Sequence, residues 1–189
     1  KNAYAYYQLG KMYKDKKDFD KAEGAYQKLL KLFPDHPDAN YDLGYIYREK
    51  KQYDMAITQY QKALKINPEN AHALYDMGYI HRQTGEYEKA LEEYKKALEA
   101  DPKHAYAHYD MGYIYSRMGE YEKALEEYKK ELEVNPEHPH ALYDSGLMYE
   151  KLGMKDKAEE EFRIYYKITD PNSFKRFFNK LRERIREKE

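Results

Sequence analysis

The feature that most constrains this chain is a 34-residue pattern that occurs five times in succession. Its clearest marker is Gly10, which returns as Gly44, Gly78, Gly112 and Gly146 without any insertion or deletion between copies. A period of this length is typical of a stacked repeat array, in which one unit cannot bury its apolar surface alone. We therefore expect one elongated array, although the length alone would also allow one or two globular domains.

The composition excludes several classes of function. The sequence contains no cysteine, which excludes disulfides, thiolate zinc sites and a cysteine nucleophile. A net charge of −1 provides no basic field for nucleic acid or an anionic membrane. No apolar run reaches the roughly 18 residues of a membrane span, and no signal peptide is visible. The default expectation is a cytoplasmic protein, and a chain that begins at Lys1 is expected to be part of a longer one.

Each unit contains two amphipathic stretches that are separated by a short polar break, such as Gly85-Glu86. Apolar residues recur at three- and four-residue spacing, which predicts two helices, and a short connection requires them to pack antiparallel. We number the positions of a unit from 1 to 34, beginning at residues 3, 37, 71, 105 and 139. Glycine at position 8 and alanine at position 20 permit a close approach of the two helices, and we expect the aromatic residue at position 24 to fill the space beside the glycine.

The combination of Gly at position 8, Tyr at 11, Ala at 20, an aromatic residue at 24 and Pro at 32 resembles the tetratricopeptide repeat family over residues 3–172. The resemblance implies an all-α fold, a right-handed α-solenoid of antiparallel helix pairs in one continuous array. The repeats would span residues 3–36, 37–70, 71–104, 105–138 and 139–172. Residues 173–189 are expected to form a C-terminal capping helix with one apolar and one basic face. The alternative is a basic tail that docks elsewhere, for instance in the groove of a second molecule.

In that family the first helix of each repeat lines a concave surface, to which positions 5, 6 and 9 contribute. Here position 5 is always tyrosine, position 6 is aspartate in four units, and position 9 is tyrosine in three. Tyrosine offers a rigid apolar face and a hydroxyl, which suits a binding surface. Because core packing gives no reason for an aspartate beside these tyrosines, we interpret both as a ligand surface; the alternative is that the tyrosines support packing. The predicted peptide-binding residues are Tyr7, Tyr41, Asp42, Tyr45, Tyr75, Asp76, Tyr79, Tyr109, Asp110, Tyr113, Tyr143 and Asp144, with Arg48, Arg82 and Arg117 at the groove margin.

An extended peptide is the ligand that the resemblance implies. A polyproline II chain advances about 3.1 Å per residue with three residues per turn, so one turn nearly matches the spacing of about 10 Å between neighbouring helices. The aspartates could accept hydrogen bonds from peptide amides or pair with Lys and Arg. We therefore expect a Pro-rich or basic peptide.

Two smaller groups of residues have structural interpretations. Most of the seven histidines lie at or near unit junctions, where we expect helix-start residues rather than a metal site. Glu131 replaces the alanine found at position 27 in the second and third units, and Ser145 lies where the other units have Leu or Met. We expect Glu131 to be buried and to accept a hydrogen bond from Ser145.

No catalytic motif and no cofactor-binding motif is present, so we expect a non-catalytic scaffold without cofactors that binds a protein or an extended peptide. One alternative is a self-assembly module, a homo-oligomer joined through the array ends or the basic C-terminal helix. Another is a designed repeat protein without a cellular function, which the regular 34-residue register suggests.

Overall fold

The computed structural model describes residues 2–104 and 106–170, and these residues form ten α-helices and no strand. The predicted capping helix at 173–189 lies outside the described residues. By contacts, the chain separates into two compact units, of which the first ends at His104. The first unit contains α1 (Asn2–Asp15), α2 (Phe19–Leu32), α3 (Pro37–Glu49), α4 (Tyr53–Ile66), α5 (Ala71–Gln83) and α6 (Tyr87–Ala100). The second contains α7 (Ala107–Arg117), α8 (Tyr121–Val134), α9 (Pro139–Lys151) and α10 (Lys155–Thr169). The prediction of an all-α helical solenoid built from helix pairs is confirmed.

Within each pair the two helices approach closely because a glycine faces a buried aromatic ring. A Cβ atom on Gly44 would lie 2.7 Å from the ring of Tyr60, and one on Gly146 would lie 2.5 Å from the ring of Phe162. These distances are too short for any side chain. The aromatic residue at position 24 therefore fills the space beside the glycine at position 8, as the sequence predicts.

The turn between the helices of a pair reverses the chain through one residue with a positive φ. That residue is glycine in three copies, with φ between 74° and 80°, but it is Lys17 in the first pair and Lys51 in the second, with φ of 57° and 59°. The next residue then donates its backbone N–H across the turn, for example from Gln52 to the carbonyl of Tyr47 at 2.8 Å. These bonds satisfy carbonyl groups that the end of the first helix leaves without a partner.

Side chains at the junctions between repeats cap the first helix of the following helix pair. The Nδ1 atoms of His36 and His138 accept hydrogen bonds from the backbone N–H of Ala39 and Ala141, at 3.3 and 3.1 Å. The Oδ1 atom of Asn70 does the same for Ala73 at 3.1 Å. The interpretation of the junction histidines as helix-start residues is confirmed for His36 and His138.

The core lies between the helices of a pair and between successive pairs of the same unit. In the first unit it is built around Tyr26, Tyr60, Leu43, Ile46 and Ile80, which are almost completely buried. In the second, Tyr128, Phe162, Leu125, Met148 and Tyr149 form a corresponding cluster. Among the described helices, none combines the length and the apolarity that crossing a bilayer would require.

Candidate peptide-binding face

The first helices of the pairs carry the residues that the sequence singles out for binding. In the first unit, Tyr41 and Tyr45 of α3 and Tyr75 and Tyr79 of α5 are half-buried, so each presents part of its ring to solvent. We call these four tyrosines the tyrosine face. The aspartates beside them are different, because Asp42 and Asp76 are only 5% and 3% exposed.

The buried Asp76 carboxylate is surrounded by hydrogen-bond donors from the preceding repeat. Its Oδ2 atom accepts hydrogen bonds from the hydroxyls of Tyr60 at 3.0 Å and Tyr41 at 3.2 Å, and its Oδ1 atom forms an ion pair with Arg48. Burial raises the pKa of Asp76, and the Arg48 guanidinium and the two hydroxyls act against that rise. Burial and the Asp76 carboxylate together raise the pKa values of Tyr41 and Tyr60. All three donors come from one repeat and the acceptor from the next, so the network joins repeats.

Asp42 has the same role one repeat earlier. It accepts a hydrogen bond from the buried Tyr26 hydroxyl at 2.7 Å and forms an ion pair with Lys14. The expectation that core packing gives no reason for these aspartates is therefore wrong. The reason is that the buried tyrosine at position 24 directs its hydroxyl at the next repeat, where a buried polar group needs an acceptor.

The cation of each network also contacts the tyrosine face. The guanidinium of Arg48 lies 4.7 Å from the ring centroid of Tyr45 and 5.3 Å from that of Tyr79. Its side chain is only 16% exposed, so Arg48 is engaged in internal contacts rather than solvated. Arg82 lies 5.1 Å from the ring centroid of Tyr79, whereas Arg117 is exposed. A guanidinium group over an aromatic face is an attractive contact that favours the observed orientation of the ring.

In the first repeat, Tyr7 is also half-buried, and its ring stacks on His36 with centroids 5.1 Å apart. An edge contact joins it to Tyr26, with centroids 6.2 Å apart. Tyr7 is therefore held in place by a helix cap and a core ring.

The second unit repeats part of this arrangement. The Tyr109 hydroxyl donates to Oδ2 of Asp144 at 2.9 Å, as Tyr41 does to Asp76. Tyr109 and Tyr113 are half-buried, Tyr143 is 38% exposed, and Asp110 is buried. Asp144 is only half-buried, and burial raises the pKa of its carboxyl group against the opposing effect of the Tyr109 hydroxyl.

Glu131 is buried, as the sequence predicts, but its expected partner is wrong. The Ser145 hydroxyl makes no hydrogen bond among the residues that the structure describes. Instead, the buried His138 ring places its Nε2 atom 3.9 Å from Oε1 of Glu131. Burial raises the pKa of Glu131 and lowers that of His138, so both groups favour their neutral forms.

Sequence reasoning missed the residues that complete the networks, namely Lys14, Tyr26 and Tyr60. A signal for them was available in the spacing. Each cation lies 28 residues before its aspartate and each buried tyrosine 16 residues before it. A pairing that recurs at a fixed offset across a repeat boundary indicates a contact between neighbouring repeats.

Comparisons with known proteins agree with the geometry. A family model described as TPR repeat matches residues 44–85 and 78–119, and three described as Tetratricopeptide repeat match residues 109–173, 3–36 and 25–58. No curated protein matches the sequence at a significant level.

Solved structures show the same fold. A crystal structure of MamA protein has 28% sequence identity and a TM-score of 0.80, and the match covers 91% of this chain and 94% of that one. MamA from Desulfovibrio magneticus RS-1, from residue 41 to its end, has 22% identity and a TM-score of 0.82, with 91% and 97% covered. YrrB, titled a TPR protein with an unusual peptide-binding site, has 23% identity and a TM-score of 0.73, with 93% and 90% covered. Because the family models together match residues 3–173 and the fold agrees, this chain belongs to the tetratricopeptide repeat family.

Proposed function

We propose that this protein-interaction scaffold binds an extended peptide through the half-buried tyrosines of its first helices. The tyrosine face of the first unit and Tyr109, Tyr113 and Tyr143 of the second would supply the contacts. One observation carries the proposal. These rings are partly exposed and yet held in place, Tyr41 by Asp76, Tyr45 and Tyr79 by Arg48, and Tyr109 by Asp144.

Preorganisation is the physical reason that such a face suits a peptide. Binding normally costs about 0.5–1.5 kcal/mol for each rotamer-rich side chain that becomes immobilised. Tyrosines that are already fixed avoid much of this cost, and a polyproline II segment is likewise ordered before it binds. In this proposal Asp42 and Asp76 act as anchors that orient tyrosines, because their own oxygens are occupied by internal donors.

YrrB, which is described as a TPR protein with an unusual peptide-binding site, has the same fold, and this analogy supports peptide binding by this chain.

The test is a selection of peptides from a random display library against three proteins. The first is the unmodified chain and the second carries Tyr45→Ala and Tyr79→Ala. The third, a matched control, carries Tyr53→Ala and Tyr87→Ala, which remove equally half-buried tyrosines from the starts of α4 and α6. Circular dichroism establishes that all three are folded.

We expect a peptide motif to be enriched on the unmodified chain and the control but lost on the Tyr45/Tyr79 variant. Enrichment that survives in that variant would show that the tyrosine face does not bind the peptides.

A second candidate is self-assembly through the N-terminal end of the array. There Tyr4 of α1, Leu32 of α2 and Phe33 are 74%, 54% and 53% exposed, so the first helix pair presents large apolar side chains to solvent. The measurement is sedimentation velocity over a hundredfold range of protein concentration. A mass that rises with concentration, and that Leu32→Glu returns to the monomer value, would favour this candidate, and a constant monomer mass would exclude it.

A further inference from the structure

The junction between α7 and α9 keeps the aspartate of the repeat network but replaces its cation. In the first unit, position 12 of one repeat pairs with the aspartate 28 residues later, as in Lys14 with Asp42 and Arg48 with Asp76. The residue 28 positions before Asp144 is Ser116. Its side chain is too short to reach the carboxylate, and its hydroxyl donates instead to the carbonyl of Tyr113 at 2.8 Å.

The Asp144 carboxylate keeps one tyrosine donor, although the hydroxyl of Tyr128, the counterpart of Tyr60, makes no hydrogen bond among the described residues. The Tyr109 hydroxyl, 2.9 Å from Oδ2, corresponds to the Tyr41 hydroxyl on Asp76. Within residues 2–104 and 106–170, that hydroxyl is the one hydrogen-bond donor to Asp144, and no lysine, arginine or histidine forms an ion pair with it. Because no long cationic side chain covers it, Asp144 is half-buried, whereas Asp42 and Asp76 are buried.

The Asp144 carboxylate has no ion-pair partner among the described residues. The histidine side chains of His140 and His138 lower the pKa of Asp144, against the larger effect of burial. Burial lowers the pKa of His138, so this ring is neutral near pH 7. An anion in a partly dry site attracts a cation more strongly than one in water.

The repeat register also relates the neighbours of Ser116 to those of Arg48. Arg48 lies between Tyr45, three residues before it, and Tyr79, 31 residues after it. The residues at the same offsets from Ser116 are Tyr113 and Leu147, both half-buried. By the register of the repeat, Tyr113, Leu147 and Asp144 therefore stand at the positions of the three residues that contact Arg48 in the first unit.

We infer that Asp144, Tyr113 and Leu147 form a subsite that binds the lysine or arginine side chain of a peptide. This inference rests on the proposed function, because the peptide is the ligand proposed there. The peptide's cation takes the place that Lys14 and Arg48 fill internally at the other junctions. Asp42 and Asp76 cannot act in this way because their internal cations already occupy them.

The first experiment compares affinities for the peptides that the unmodified chain selects from the display library. Ser116→Arg supplies an internal cation, Asp144→Asn removes the charge while retaining an acceptor for Tyr109, and Ser116→Ala is the matched control that leaves the subsite open. We expect a lysine or arginine at one fixed position of the motif. Affinity should fall about 10- to 100-fold in the Arg and Asn variants and stay unchanged in the Ala control. A motif without a basic residue, or full affinity in the Ser116→Arg variant, would overturn the inference.

The second experiment does not depend on peptide selection. N-acetyl-arginine amide is titrated into the ¹⁵N-labelled protein, with N-acetyl-norleucine amide as an apolar control of similar length. In the unmodified chain we expect the amide resonances of residues 116 and 144 to shift with the arginine probe and not with the norleucine control. In the Ser116→Arg and Asp144→Asn variants we expect neither probe to shift them. Equal shifts with both probes, or shifts that persist in the Ser116→Arg variant, would refute the subsite. If the library enriches nothing while the arginine probe binds, the proposed function fails and the subsite stands.

Discussion

Removal of Asp76 should destabilise α3–α5 far more than removal of Asp144 destabilises α7–α9. Asp76→Ala leaves the Arg48 guanidinium, which is 16% exposed, without its ion-pair partner and deprives the hydroxyls of Tyr41 and Tyr60 of an acceptor. Breaking a buried ion pair from one side costs about 3–5 kcal/mol. Asp144→Ala removes the hydrogen-bond acceptor of the Tyr109 hydroxyl but leaves no buried cation unpaired. We therefore expect it to cost about 1 kcal/mol of folding free energy.

The difference between the two variants, about 3 kcal/mol, is large against the total stability of a small domain, about 5–15 kcal/mol. Repeat arrays often unfold in parts, so a single global transition can hide a local effect. Hydrogen exchange followed by mass spectrometry is therefore the appropriate assay. At about 1.4 kcal/mol per factor of ten, a cost of about 3–5 kcal/mol should make amides of α3–α5 exchange roughly 100- to 4,000-fold faster in the Asp76 variant than in the unmodified chain.

Arg48→Met in the Asp76→Ala background provides the internal control. It removes the stranded charge, so we expect it to recover part of the lost protection. Equal exchange in the Asp76 and Asp144 variants, or no recovery on removing Arg48, would show that the ion pair is not what makes Asp76 important.

Three further effects follow from the structure. Gly44→Ala should destabilise the first unit by about 1–3 kcal/mol in urea unfolding, because its Cβ would lie 2.7 Å from the ring of Tyr60; an unchanged midpoint would contradict the close approach. Lys51→Gly should stabilise the same unit by about 1 kcal/mol, since lysine at a φ of 59° is strained where glycine is not; the matched control, Lys50→Gly, lies at a φ of −78° and should not stabilise. Asp144→Asn should stabilise the second unit at pH 7, because burial raises the pKa of Asp144 and its charged form is disfavoured in the folded state. Between the unfolded pKa, about 3.9, and the raised folded pKa, the folded state binds more protons than the unfolded state, so the unmodified chain becomes more stable as the pH falls through this window. Thermal melts from pH 7 to 4 should therefore show that the stability advantage of the Asp144→Asn variant shrinks. A constant advantage would contradict this assignment.

The parts of the fold that the sequence predicts are those that local physics determines. Apolar spacing sets the helices, and the pairing of Gly10 with Tyr26 or Gly44 with Tyr60 is visible as a small residue facing a large one. The exposed i,i+4 ion pairs of the second helices, such as Lys96 with Glu92 at 2.8 Å, follow from helix geometry alone.

The site was harder to predict because its bonds cross from one repeat to the next. A helical face indicates that Tyr41 and Tyr45 are neighbours, but it does not indicate that the Tyr41 hydroxyl reaches Asp76 in the following repeat. For the same reason, an aspartate that recurs at one position of the repeat is compatible with either a ligand surface or an internal network. Burial decides this question, and burial depends on the packing of two repeats together.

The informative residue for binding is then the one that departs from the repeat. Where position 12 is Lys14 or Arg48, the chain neutralises its own aspartate and the carboxylate is lost to a ligand. Where it is Ser116, the same carboxylate keeps its tyrosine donor but not its counterion. A buried or half-buried charge without a counterion costs stability. The chain with Ser116 is therefore expected to be less stable than one with lysine or arginine at this position. Stability lost at a site that remains oriented and accessible is the cost expected where a ligand supplies the missing partner.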